Sequence, residues 1–156
     1  MTPKSIAIIV GYFPAISETF IVNQINSLIE SGNKVTLYSY KRGVDIKIHE
    51  SLKKHDLLNK VIYYKKAPKL KISRFFNFLI WVFQHIKNIK WNLLFNVLNI
   101  SKYGKEAYTL KLFYESQWFL TPTNFDIIHV HFGPNAKRIS YIKSLGFIPQ
   151  KSKLIT

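Results

Sequence analysis

Hydrophobic positions fall into alternating blocks along this chain. Residues 5–12, SIAIIVGY, form a nearly continuous apolar run. A run with no polar face to give to water predicts a strand buried on both sides. After Pro14, Ser17 and Glu18 precede Phe20, Ile21, Ile25, Leu28 and Ile29, which recur at helical spacing. Ser17 is a suitable N-cap and Glu18 is favourable in a first turn, while Gly32 stands where a helix C-terminus favours glycine. Residues 34–40, KVTLYSY, alternate as a second strand. Strand, helix and strand in succession make a βαβ unit, which implies parallel pairing and a right-handed crossover.

The last third repeats the pattern. Asp126 to His131 is a β-rich run ended by Phe132-Gly133-Pro134, and Ile139, Ile142 and Leu145 then follow at helical spacing up to Gly146. Lys153 to Thr156 begins another strand. In between, Val61 to Tyr64 is a short strand candidate, and helical patterns run from about residue 73 to 100 and from about 105 to 119. The first of these carries Phe75, Phe76, Leu79, Val82, Phe83, Ile86, Ile89, Leu93, Leu94, Val97 and Leu98 among lysines. Two readings stay open for it. The helices cover the sheet and the apolar stripe is core, or Phe75, Phe76, Phe78, Trp81 and Trp91 dip into lipid beside a lysine fringe. The expected fold class is α/β, a Rossmann-like parallel sheet flanked by helices.

Composition narrows the picture. With 156 residues, 47% of them hydrophobic and 15% aromatic, the chain is expected to be globular with one core. There is no cysteine, hence no disulfide framework and no thiolate chemistry. The formal net charge is +15, which attracts anionic membranes, phosphorylated ligands or nucleic acid. Twenty Lys stand against only three Arg. Base readers favour the planar Arg fork, so no nucleic-acid partner is expected. The N-terminal apolar run is shorter than a signal-peptide core of about 7–15 residues. The longest apolar block, around Phe75 to Phe83, falls short of the roughly 20 residues needed to span a bilayer. A soluble or peripheral protein is expected.

Ligands of open parallel sheets bind beyond the carboxyl ends of the strands. Two loops stand at such ends, Phe13 to Thr19 and His131 to Asn135. Neither is glycine-rich, so the dinucleotide and P-loop fingerprints are excluded. A phosphate at the first helix N-terminus would meet the Glu18 carboxylate. A carboxylate beside Ser17 and Thr19 suits hydroxyl-rich ligands, although simple helix capping accounts for it equally. His129 and His131 share a strand face. They lack a nearby third ligand, so no metal is expected. His131, at the strand end, is placed to reach a ligand and to titrate near neutral pH, whereas His129 reads as a core histidine bonded to backbone.

The segment FPAISETFIVNQINSLIESGNKVTLYSY resembles the opening of bacterial family 4 glycosyltransferases of the GT-B fold, especially those that build exopolysaccharides and other surface glycans. FDIIHVHFGPNAKRISYIKSLGFIPQKSKLIT is similar to the later H-x-H-F-G segment of the same N-terminal domain. The resemblance covers residues 5–40 and 125–156. It implies that residues 1–156 are an incomplete, truncated acceptor-side N-terminal domain. A second Rossmann-like domain that holds the nucleotide sugar would be the missing partner, and the fragment would be inactive alone. The implied chemistry is sugar transfer from a nucleotide diphosphate sugar to a glycan or lipid-linked acceptor, with no cofactor and no metal. Ser17, Glu18 and Gly133 would line the substrate cleft, and His131 would contact the reacting sugars or position the acceptor. The implied location is cytoplasmic, peripheral at the anionic inner face of the membrane. The alternative is a non-catalytic, basic docking module on the same half-fold.

Overall fold

Strand β1 (Ser5–Phe13) occupies the middle of a five-stranded sheet, and the other strands are arranged around its ladder. The computed structural model describes residues 2–15, 19–43, 50–122 and 124–156. Besides β1 the sheet contains β2 (Lys34–Arg42), β3 (Ile62–Tyr63), β4 (Ile127–Val130) and β5 (Lys153–Ile155), in the order β3-β2-β1-β4-β5. Every pairing is parallel, with Ile8 opposite Leu37 on one side and His129 on the other. This is the expected α/β, Rossmann-like arrangement. The strand order reverses between β1 and β4, and such a switch point opens a crevice at the strand ends.

The chain divides into two compact units. The first comprises residues 1–64, 124–141 and 149–156 and contains the sheet. Ile6, Ile8 and Val10 point to one face. There they meet Ile21, Val22 and Ile25 of α1 (Thr19–Glu30), Leu52 of α2 (Glu50–Lys53) and Leu57 of α3 (Leu57–Lys60) in one buried cluster. Ala7 and Ile9 point to the opposite face and are also fully buried. Helix α9 (Gly133–Ser144) follows β4 by a right-handed crossover, which places it on that opposite face. Its Arg138 guanidinium lies 5.3 Å from the Tyr40 ring centre and 5.2 Å from that of Tyr64.

Polar ties set the strand positions. The Asp126 carboxylate accepts from the Ser5 N–H at 2.8 Å, and the buried Ser152 hydroxyl donates to the Phe125 carbonyl at 2.7 Å. α1 ends as its glycine predicts. Gly32 takes φ 82°, and the Asn33 N–H returns to the Leu28 carbonyl at 3.1 Å.

The second unit comprises residues 65–123 and 142–148. Here the two long helical stretches expected from the sequence are broken into shorter pieces. They are α4 (Lys71–His85), a 3-10 turn, α5 (Trp91–Val97), α6 (Ile100–Tyr103), α7 (Lys105–Tyr108), α8 (Lys111–Ser116) and a second 3-10 turn. The breaks have local causes. Ile89 is extended, Gly104 takes φ 53°, and Leu110 adopts a left-handed φ of 56°. Apolar periodicity continued across these points, but backbone conformation did not. The unit is held by a ring cluster, with Phe113 edge-on to Phe78 at 4.8 Å and to Trp81 at 5.2 Å. The Tyr114 hydroxyl donates to the Arg74 carbonyl at 3.0 Å.

The apolar stripe of α4 overturns one expectation. Ile72, Phe75, Phe76, Leu79, Ile80 and Phe83 recur at the spacing of a single helix face, and all are exposed. Phe78 and Trp81, read from the sequence as candidates to enter lipid, are buried and anchor the helix instead. No helix among the described residues is long and apolar enough to cross a membrane.

Ile8 has no exposed surface and packs in the α1-facing cluster. Ile8→Ala is expected to cost roughly 2–5 kcal/mol, read as a lowered denaturation midpoint with an unchanged slope. An unchanged midpoint would contradict the central role of β1.

Candidate functional site

The crevice at the β1–β4 switch point brings together the carboxyl ends of both strands and the first turn of α1. Beyond the last β4 pairing, the His131 N–H donates to the Ile9 carbonyl at 2.9 Å, so β4 stays in register until its end. His129 and His131 share the α1-facing side, as their spacing predicts, and their rings stack at 4.4 Å with planes 30° apart. Phe20 of α1 stands edge-on to His131 at 6.0 Å. One turn later on α1, the Gln24 amide nitrogen lies 3.3 Å from Nδ1 of His129. The partner of His129 is therefore a side chain from α1, where a backbone bond was expected.

His131 differs from its neighbour. Its Nε2 is buried with no hydrogen-bond partner among the described residues. Burial pushes its pKa below the ordinary histidine value, and the neighbouring His129 lowers it further. Burial lowers that of His129 as well. Both rings are therefore neutral at pH 7, and a neutral imidazole offers one donor and one acceptor. A buried imidazole nitrogen without a partner among the described residues, on a half-buried ring at a strand end, is a candidate to receive a hydroxyl.

The loop after His131 is built to turn sharply. Phe132 adopts φ 73°, a left-handed conformation unusual for a bulky residue, and its ring is exposed. The turn lets Gly133 start α9, and the carbonyl of Phe132 accepts from the N–H groups of Asn135 and Ala136. The Asn135 amide donates to the His131 carbonyl at 3.1 Å. A Cβ on Gly11 would stand 3.4 Å from Asn135 Nδ2, at the edge of ordinary van der Waals contact.

On the other side of β1 the rim is basic and aromatic. The Lys41 amine donates to the Tyr12 hydroxyl at 3.0 Å, and the Arg42 guanidinium lies 5.1 Å from the Tyr63 ring centre. The Phe13 carbonyl accepts from the Gly43 N–H and the Tyr63 hydroxyl, both at 3.0 Å. A Cβ on Gly43 would collide with the Pro14 carbonyl, so glycine is required where β2 leaves the sheet.

Of the site residues expected from the sequence, His131 and Gly133 stand at the switch point, and Ser17 and Glu18 lie outside the described residues. Sequence reasoning missed Gln24, Asn135 and the Tyr12–Lys41 pair. Phe20 recurs at helical spacing with the apolar residues of α1, yet more than half of it is exposed above His131. Its position one turn before Gln24, at the mouth of the helix, was the available signal. Among the described residues no group of three or more His, Asp or Glu is arranged to hold a metal ion.

Comparison with known proteins points in one direction. Over 139 residues the chain is 27% identical to a protein of Escherichia coli (strain K12) named colanic acid biosynthesis glycosyltransferase WcaL. The like-named protein of Salmonella typhimurium (strain LT2) is 24% identical over the same length. Both matches take in 89% of this chain and 34% of the relative, so the chain spans about a third of the length of these proteins. No protein-family model matches, and no solved structure does. The similarity to surface-glycan glycosyltransferases read from the two sequence segments thus extends over most of the chain.

The histidine pair also predicts a pH response. The folded pKa of each lies below the unfolded value of 6.5, so the unfolded chain binds protons first as pH falls. Stability is full above about pH 6.5 and declines as pH drops through the interval down to the folded values. Urea midpoints measured at pH 7.5 and 5.5 should fall for the native chain and fall less for His131→Phe. Equal falls in the two proteins would remove His131 as a source of the effect.

Proposed function

We propose that this chain is the acceptor-side, N-terminal part of a GT-B glycosyltransferase. In this reading it is one domain of a longer catalytic assembly and is inactive without the nucleotide-sugar domain. The whole enzyme moves a sugar from a nucleotide diphosphate sugar to a glycan or lipid-linked acceptor. The observation that carries the reading is the Nε2 of His131 at the β1–β4 switch point, which has no partner among the described residues, in a chain similar over most of its length to glycosyltransferases.

In the transfer, the acceptor oxygen forms a bond to the anomeric carbon while the bond from that carbon to the diphosphate breaks. The nucleoside diphosphate leaves with the electron pair, and the proton of the acceptor hydroxyl passes to an oxygen of that departing diphosphate. His131 accepts a hydrogen bond from a sugar hydroxyl and orients it. Gly133, with no Cβ at the start of α9, leaves room for a sugar ring beside it, since nothing lies within 4 Å of where a Cβ would stand. Ser17 and Glu18, which fall between β1 and α1 in the sequence, supply hydroxyl and carboxylate partners. A carboxylate there favours a sugar over a phosphate.

The second part of the proposal places the protein at the cytoplasmic, anionic face of a membrane. Residues 65–123 hold ten Lys or Arg against two Glu. The exposed stripe of α4 lies between Lys69 and Lys71 at one end and Lys87 and Lys90 at the other. An apolar helix face bordered by lysines lies down in a headgroup layer, with apolar burial and charge attraction adding together.

In the full gene product, His131→Ala is expected to lower turnover of nucleotide sugar by about 10²-fold with an unchanged melting temperature. Unimpaired turnover would overturn the assignment of His131. In vesicle flotation, the chain should rise with vesicles containing phosphatidylglycerol, and Phe76→Glu with Phe83→Glu should abolish this. Flotation indifferent to both the anionic lipid and the substitutions would remove the membrane from the proposal.

A further inference from the structure

Beside the exposed stripe of α4 the second unit contains a cavity of about 310 Å³ that no part of the glycosyl-transfer chemistry uses. It is lined by Phe75 and Phe78 of α4, Leu98 and Ile100 from the α5–α6 segment, and Ala107 and Leu110 around α7. Three residues bring polar side-chain groups to the wall: Lys71, Tyr108 and Thr109. The Thr109 hydroxyl already donates to the Lys105 carbonyl at 2.7 Å. The Lys71 amine lies 5.6 Å from the Tyr108 ring centre, at the rim where both residues are exposed.

We infer that this cavity takes one acyl chain of an anionic glycerophospholipid, with the phosphate beside Lys71. The inference rests on the membrane reading above and deepens it. The wall chemistry selects the occupant. A sugar or a peptide strand would bring many hydrogen-bonding groups into a wall whose free polar side chains, Lys71 and Tyr108, stand only at its rim, and each unmatched group would be costly. A hydrocarbon chain loses nothing there. Charge selects the headgroup, because the rim is cationic in a unit with ten cations and two carboxylates between residues 65 and 123. α4 also begins at Lys71 with no side chain capping it and no acid in its first turn, so the local field at the rim favours an anion. Continuity completes the argument. Phe75 both lines the cavity and belongs to the exposed stripe, so a helix resting on a bilayer holds the cavity mouth at the depth of the lipid headgroups.

The inference is tested by titrating the chain with dihexanoyl phosphatidylglycerol below its micelle concentration, in parallel with flotation on vesicles of phosphatidylcholine and phosphatidylglycerol. Saturable binding of one lipid per chain is expected. Ala107→Phe, which fills the cavity, should weaken it at least tenfold while flotation persists. Phe83→Glu, on the stripe away from the cavity wall, should abolish flotation and leave the titration unchanged. Lys71→Glu is a surface change that does not depend on repacking the core, and it should also weaken the titration at least tenfold. Dihexanoyl phosphatidylcholine should bind more weakly than the anionic lipid. Native affinity in both Ala107→Phe and Lys71→Glu overturns the cavity assignment. So does flotation of the native chain without saturable binding of the monomeric lipid, and in both cases the membrane reading stands. A native chain that neither floats nor binds the lipid overturns both.

Discussion

The parallel ladder of β1 is the constraint on which the rest of the sheet unit depends. β1 pairs on both sides, and Ala7, Ile8, Ile9 and Val10 are fully buried, so it contributes to the core on both faces. Its alternate side chains serve different partners. Ile6, Ile8 and Val10 meet α1 and the short helices after β2, while Ala7 and Ile9 face the side on which α9 lies. Because crossovers from β1 to β2 and from β4 to β5 run in opposite directions, the same handedness rule sends α1 and α9 to opposite faces. The divergence leaves the crevice in which His131 stands. The fold and the candidate site thus follow from one strand and one rule of chirality.

Within that crevice, the candidate site is defined by what is left unsatisfied. Asn135 holds the His131 backbone and Gln24 approaches the neighbouring His129, yet His131 Nε2 finds no partner among the described residues. Burial keeps both rings neutral, and the neighbouring His129 adds to the effect on His131, which preserves an acceptor or donor for a ligand. The exposed rings of Phe20 and Phe132 flank this point. Aromatic surface next to one unsatisfied polar atom gives a ligand with an apolar face and hydroxyl edges both kinds of contact. A sugar ring has that character.

The helical unit obeys the same physics with the opposite outcome. Helix α4 presents two faces to choose from. Its packed side is narrow, built on Phe78 and Trp81 against Phe113. The broader aliphatic and aromatic side is left outward. Apolar periodicity reports that a helix has an apolar face, and it carries no information about whether protein or lipid covers that face. The edge-on contacts that anchor Phe78 and Trp81 depend on a residue more than thirty positions away, beyond any local pattern.

The strands, their approximate limits, the glycine-terminated ends of α1 and α9, and the shared face of His129 and His131 were legible in the sequence. Each rests on local rules, since strand alternation, helical spacing and the positive φ of Gly32 and Gly146 are properties of neighbouring residues. The breaks of the central helices were less legible. The left-handed backbone of Leu110 carries no residue-type signal, unlike that of Gly104. Tertiary structure alone decided the order β3-β2-β1-β4-β5, the meeting of Gln24 with His129, the exposure of Phe20 and the outward turn of the α4 stripe. Those depend on which distant elements pack together. The sequence determines that a residue is apolar, helical or strand-end polar, and only long-range packing decides what stands opposite it.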